Sequence, residues 1–259
     1  MIKNRIMVLL ALFSLAFFAA CNKSEENGTA QLKVMLTDGP ADYDEVWVDV
    51  QSIEIHSEAE GWVTYDLLHP GLYNLLDFSN GLDTLIADLL LPAGNVSQMR
   101  LLLGSNNSVV VDGVSYDLTT PSAQQSGLKF NIHQNLAPNG SYSIWIDFDA
   151  GRSVVQTGSG SYILKPVIRA YTEETNGRIR GTVEPVMSHT VVYAVQGMDS
   201  ATAIPDDLGF FMMSGLPEGS YTLFFDGDES SGFSDVVVED VNITFGMTTD
   251  IGTVVIPNL

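Results

Sequence analysis

Through most of the chain apolar and polar residues alternate with period two, which predicts strands rather than helices. Leu32, Val34 and Leu36 alternate with Lys33, Met35 and Thr37, and this first segment stops at the turn signal Asp38-Gly39-Pro40. Val46, Val48 and Val50 then alternate with Trp47, Asp49 and Gln51, and Ile53 and Ile55 carry the strand on. Further strands are predicted at residues 62–67, 73–78, 97–103, 128–132, 142–148 and 162–170. Residues 109–116 read as a hairpin, because Asp112-Gly113 supplies the positive φ of a tight turn. One stretch departs from period two. Leu82, Leu85, Ile86, Leu89 and Leu90 fall at helical spacing and predict a short helix before Pro92-Ala93-Gly94. Pro166 lacks a backbone donor and is expected on an edge or at a bulge.

The run Glu173-Glu174-Thr175-Asn176-Gly177 is a polar break. Beyond it come shorter strands at 178–183, 191–195, 210–213, 220–225, 235–238 and 249–256, separated by turns. The pattern predicts an all-β protein of two antiparallel β-sandwich domains, residues 30–172 and 173–259, the second one small.

The first residues change the picture of where such a protein lives. Lys3 and Arg5 precede an apolar run at 6–20, interrupted only by Ser14, and Cys21 follows at once. The run is shorter than the roughly 20 residues of a membrane span. It reads as a signal peptide over residues 1–20, with a lipidated tether at 21–29. Ala19, Ala20 and Cys21 resemble the lipobox of bacterial lipoproteins, whose cysteine is acylated through its sulfur; Phe18 stands where that motif usually has Leu. Lys23-Ser24-Glu25-Glu26 is similar to the acidic export signal of Bacteroidetes-type surface lipoproteins. The resemblance implies an outer-membrane protein facing the exterior, held by palmitate-type acyl chains rather than by a span. Cys21 is the single cysteine, so the chain holds neither an internal disulfide nor a second thiol for chemistry.

Net charge is −21 over 259 residues, from 11 Lys and Arg against 32 Asp and Glu. That balance repels phosphate backbones and excludes nucleic acid as a partner class, leaving divalent cations, neutral glycans and basic proteins.

Several separated motifs resemble one family of bacterial lipoproteins, the DUF4382 family. They are Leu-Thr-Asp-Gly-Pro-Ala-Asp-Tyr at 36–43, Leu-Pro-Ala-Gly at 91–94, Arg-Leu at 100–101, Thr-Pro-Ser-Ala-Gln-Gln-Ser-Gly-Leu-Lys at 120–129, Asp-Phe-Asp-Ala-Gly-Arg-Ser at 147–153 and Leu-Lys-Pro-Val-Ile-Arg at 164–169. The resemblance covers roughly residues 30–171 and implies a β-rich envelope protein with no catalytic residue to carry over. In the tail, Gly181-Thr182-Val183, Gly209-Phe210 and the run Ser-Gly-Leu-Pro-Glu-Gly-Ser-Tyr-Thr-Leu at 214–223 resemble the carboxypeptidase-regulatory or prealbumin-like sandwich. That module belongs to a carbohydrate-binding-like fold class whose members mostly act as spacers or docking domains, and fold alone does not assign a function.

No nucleophile elbow, paired zinc histidines, phosphate loop or dinucleotide fingerprint occurs, so no catalytic residue and no cofactor is predicted. Asp42-Tyr43-Asp44-Glu45 and Asp226-Gly227-Asp228-Glu229-Ser230 supply hard oxygens at alternate positions, yet neither continues into a complete calcium loop, and no metal is predicted. Trp47, Trp62 and Trp145 sit on polar strand faces. Trp47 and Trp145 are taken as a candidate ligand platform, with a domain interface as the competing role for such rings.

Asp147 and Asp149 share the outward face of their strand with Trp145, so a sugar platform, half a calcium site and a salt-bridge lattice all fit the pattern. The scarce bases decide among these. Lys165 and Arg169 share a strand face and fall close by in sequence, so the preferred reading is a structural lattice of Asp147, Asp149, Lys165 and Arg169, with both carboxylates kept ionised. The chain is therefore expected to be a non-enzymatic, lipid-anchored envelope module recognising a glycan or matrix at the outer surface. The alternative is a structural spacer or accessory subunit of an envelope protein complex.

Overall fold

The computed structural model describes residues 28–120 and 127–259. The predicted signal peptide, Cys21 and the tether up to residue 27 lie outside the described residues. No helix among those described is long and apolar enough to cross a membrane.

The chain is nearly all β. Its N-terminal part comprises β1 (Thr29–Thr37), β2 (Glu45–Ser57), β3 (Gly61–Asn74), β4 (Thr84–Pro92), β5 (Gly94–Leu103), β6 (Ser108–Val111), β7 (Val114–Thr119), β8 (Leu128–Leu136), β9 (Ser141–Phe148), β10 (Val154–Gln156), β11 (Tyr162–Leu164) and β12 (Ile168–Tyr171). These form a four-stranded sheet in the order β12-β9-β1-β4 and a larger one in the order β10-β11-β7-β6-β2-β5-β8, with β3 also paired to β2. The inward-facing residues make a single core that includes Leu32, Val34, Ile53, Met99, Ile144 and Phe148. Burying such side chains stabilises the fold by about 1.5–3 kcal/mol each.

The C-terminal part comprises β13 (Gly177–Glu184), β14 (Val191–Gln196), β15 (Asp199–Ala203), β16 (Phe210–Leu216), β17 (Gly219–Asp226), β18 (Val236–Ile243) and β19 (Thr248–Val255). Its sheets, β16-β13-β19 and β15-β14-β17-β18, close over a second core around Ile179, Phe211, Leu223 and Phe225. Most pairings are antiparallel, but β1 with β9, β7 with β11 and β13 with β19 run parallel.

The predicted helix at residues 82–90 is a strand. β4 lies along β1, pairing Leu32 with Leu89 and Gln31 with Leu90, and a bulge between Val34 and Met35 shifts its register. The bulge puts neighbouring Ile86 and Ala87 both inside, which breaks period two and leaves a sequence that imitates helical spacing. Residues 75–78 form a 3-10 turn instead of continuing a strand. The strand predicted at 162–170 divides at Pro166, because β11 belongs to the large sheet and β12 to the small one. Ser153 holds the crossover: its carbonyl accepts the Lys165 N–H at 2.7 Å and its hydroxyl accepts the Val167 N–H at 2.8 Å, so Pro166 sits where no donor is needed. The hairpin at 109–116 forms as predicted, with positive φ at both Asp112 and Gly113.

Candidate functional site

On adjacent antiparallel strands, Asp147 of β9 stands directly opposite Arg169 of β12. The Arg169 Nε donates to Asp147 Oδ2 at 3.1 Å, and Nη2 reaches the same oxygen. Asp149 has left the strand. It caps the one-turn helix Ala150–Ser153 by accepting the Arg152 N–H at 3.0 Å, and its other oxygen lies 3.8 Å from the Arg152 guanidinium.

The four-membered lattice expected from the sequence is therefore corrected to two pairs, Asp147–Arg169 and Asp149–Arg152. Lys165 takes part in neither. It is exposed, in the crossover between sheets, and makes no ion pair among the described residues. The face it was expected to share with Arg169 does not exist once the strand divides at Pro166.

Asp38 is the member the sequence did not reveal. The parallel pairing of β1 with β9 sets Thr37 opposite Asp147 and brings Asp38 alongside. Asp38 Oδ1 accepts the Ala150 N–H at 2.8 Å. Among the described residues its Oδ2 is buried without a partner, and so is Asp147 Oδ1. Both residues are buried, at 6% and 5% exposure. They line one cavity of about 30 Å³, which Met212, Met213 and Ser214 of the C-terminal part help to enclose.

Burial pushes the Asp38 carboxyl well above its ordinary pKa, against the Ala150 N–H that favours the anion, and the charges of Asp147 and Asp149 push the same way. Burial also raises Asp147, outweighing Arg169. Desolvation at a strand position facing the C-terminal part is thus the larger effect on this carboxyl, and the guanidinium the smaller opposing one.

Trp145 is not an open platform. Its Nε1 donates to Asp83 Oδ2 at 2.6 Å, its ring stacks on Tyr171 with centroids 5.8 Å apart and planes at 7°, and the Arg178 guanidinium lies 5.8 Å from its centroid. The ring covers the junction with the C-terminal part. Trp47 is half-buried on β2, in the other sheet, and donates to Glu45 Oε2 at 2.6 Å, so the two indoles do not form one surface.

Trp62 on β3 meets two cations. The Arg100 guanidinium lies 3.9 Å from its centroid and the Lys129 ammonium 5.6 Å, while His56 meets its edge at 5.2 Å. Arg100 is held in turn by Glu54 at 3.0 Å. Next to this cluster runs a groove of about 660 Å³ between β8, β12 and the C-terminal part, lined by Lys129, Asn131, Arg152, Arg169, Asn176 and Ser200 among others. Its size is that of a ligand site. The sequence signal for it was the clustering of scarce bases near the last strands of the N-terminal part, but which way they face depends on the packing of the C-terminal part.

The acidic clusters weighed for calcium serve as turn caps. Asp228 accepts the Ser230 N–H and the hydroxyls of Ser230 and Ser231, which bring its pKa down to about 2. Asp44 accepts the Gly113 N–H at 2.8 Å.

A family model described as a domain of unknown function (DUF4382) matches residues 29–166. No curated protein matches the sequence. Among solved structures, the chain is similar to the Bacillus anthracis TIE protein (13% identity, 89% of this chain and 35% of that one, TM-score 0.25). It is also similar to a leucine-rich repeat protein from Bacteroides thetaiotaomicron (14%, 89% and 26%, TM-score 0.22) and to the minor pilin GBS52 of Streptococcus agalactiae (10%, 90% and 96%, TM-score 0.24). The chain thus spans about a third and about a quarter of the first two. Superposition at these scores is too poor to transfer a function.

Proposed function

The chain belongs to the DUF4382 family, and we propose that it works as a non-catalytic binding module of the bacterial cell envelope, with residues 30–172 and 173–259 as its two domains and a glycan held in the groove between them. The observation that carries this reading is the groove itself. It is roomy, it lies where two sets of sheets meet, and polar side chains on three different elements line it: Asn131 on β8, Arg169 on β12 and Asn176 before β13. Among the described residues its lining pairs no nucleophile with a base. A glycan array probed with the chain from residue 22 onward tests the reading, and binding to no glycan contradicts it. The alternative, a structural spacer or accessory subunit, has one foothold: β18 is an open sheet edge that carries exposed Val237.

Anchoring through Cys21 is the second part of the proposal, and the basic pair, short apolar run and small residues before it support it. Cys21→Ser is expected to abolish incorporation of labelled palmitate and to move the protein from the membrane fraction to the soluble one. Retention in the membrane fraction contradicts lipid anchoring.

A further inference from the structure

We infer that the groove binds an acidic polysaccharide, one whose sugars bear carboxylates; the inference rests on reading the groove as a glycan site. The chain as a whole has 11 bases to 32 acids. The groove inverts that ratio, because Lys129, Arg152 and Arg169 line it and, among the described residues, Asp199 is the one carboxylate that does. The carboxylates that hold the two arginines are not part of its wall. Asp147 is buried, the Asp149 side chain is only 19% exposed, and neither lines the groove. The Arg152 side chain is 67% exposed, so its planar fork is open to a ligand carboxylate. Lys129 is exposed and makes no ion pair among the described residues.

The cationic row extends past the groove. Arg100 on β5 pairs in register with Lys129 on β8, and Trp62 on β3 lies beneath Arg100. β5 and β8 are neighbouring strands, about 5 Å apart, so the cations carry on from the groove onto the edge of the large sheet, where Glu54 holds Arg100. Neighbouring side chains suit hydroxyls: Asn131 Oδ1 accepts from Gln98 at 2.8 Å, which leaves the Asn131 amino group for a ligand.

The test measures binding of the full chain, solubilised in a non-ionic detergent, to polygalacturonate, to its methyl ester and to polyglutamate. Polygalacturonate is expected to bind, and raising NaCl tenfold is expected to weaken it by about tenfold or more, since exposed charges are screened. The ester and polyglutamate are expected to bind at least about tenfold more weakly. Lys129→Glu combined with Arg152→Glu is expected to lose about tenfold or more at unchanged melting temperature, and Lys129→Ala alone gives the same direction should the double variant fold poorly. Equal binding of the ester overturns the acidic class while leaving a glycan site standing. Equal binding of polyglutamate assigns the row to acidic protein instead. Wild-type affinity in the Lys129 variants moves the site elsewhere, and binding to none of these or to neutral glycans removes the glycan reading as well.

Discussion

Phe211→Ala is expected to cost ~3–5 kcal/mol and to unfold residues 173–259 ahead of residues 30–172. Phe211 on β16 is fully buried and meets the Phe225 ring edge-on, with centroids 5.8 Å apart. The two rings come from the two small sheets, so a cavity between them cannot close without bending a hydrogen-bonded ladder. Losses of that size are a large fraction of a domain's typical ~5–15 kcal/mol. The two cores share no buried residue. Contacts between the parts lie outside both cores: the Asn80 side chain donates to the Ile204 carbonyl at 3.0 Å, Arg178 faces Trp145, Met212 packs where a side chain on Gly81 would stand, and Tyr171 lies against Gly215. Loss of one part therefore need not drag the other with it. All three tryptophans precede residue 172, so indole fluorescence follows residues 30–172 while far-UV circular dichroism follows both parts. The expected result is a new early step in circular dichroism, with the main indole transition in place and only the Trp145 contribution shifted. One transition, lowered equally for both probes, contradicts two independently folding domains.

The strands that were legible are those where large apolar residues alternate against polar ones, as at Leu32 to Leu36 or Val46 to Val50. Where that contrast is missing, pairing decides. β15, the run Asp-Ser-Ala-Thr-Ala at 199–203, has only small inward residues, Ala201 and Ala203, and is a strand because β14 lies beside it. At residues 82–90 leucine and isoleucine are so dense that they satisfy helical and strand periods together, and the free edge of β1 selects the strand, leaving Leu90 70% exposed. The site follows the same division. Asp147 and Arg169 both lay on predicted strands and their pairing was readable from the scarcity of bases. Asp38 is 112 positions from its partner Ala150, and a parallel pairing between β1 and β9 leaves no local trace in either segment. Trp145 looked outward in its own strand. It is covered by Tyr171 and Arg178, from outside that strand.

Asp38→Asn is expected to stabilise the protein at neutral pH by about 1–3 kcal/mol and to flatten its dependence on pH. The folded Asp38 carboxyl titrates well above the ordinary carboxylate range because it is buried, beside Asp147 and Asp149, with Arg169 engaged by Asp147 rather than by Asp38. Between the unfolded and the raised folded pKa the native state binds more protons than the unfolded state, so stability falls as pH rises through that window. Above it the cost of the buried charge is present in full. Asparagine keeps the Oδ1 that accepts the Ala150 N–H and replaces the partnerless Oδ2 with a donor, in a cavity where Asp147 Oδ1 also lacks a partner. Asp38→Ala removes the acceptor for Ala150 as well and should gain less, or lose. Urea unfolding of the three proteins near pH 4 and near pH 8 separates the cases. If asparagine is instead less stable than aspartate near pH 8 and equal near pH 4, Asp38 is ionised in the fold and a counter-charge compensates it.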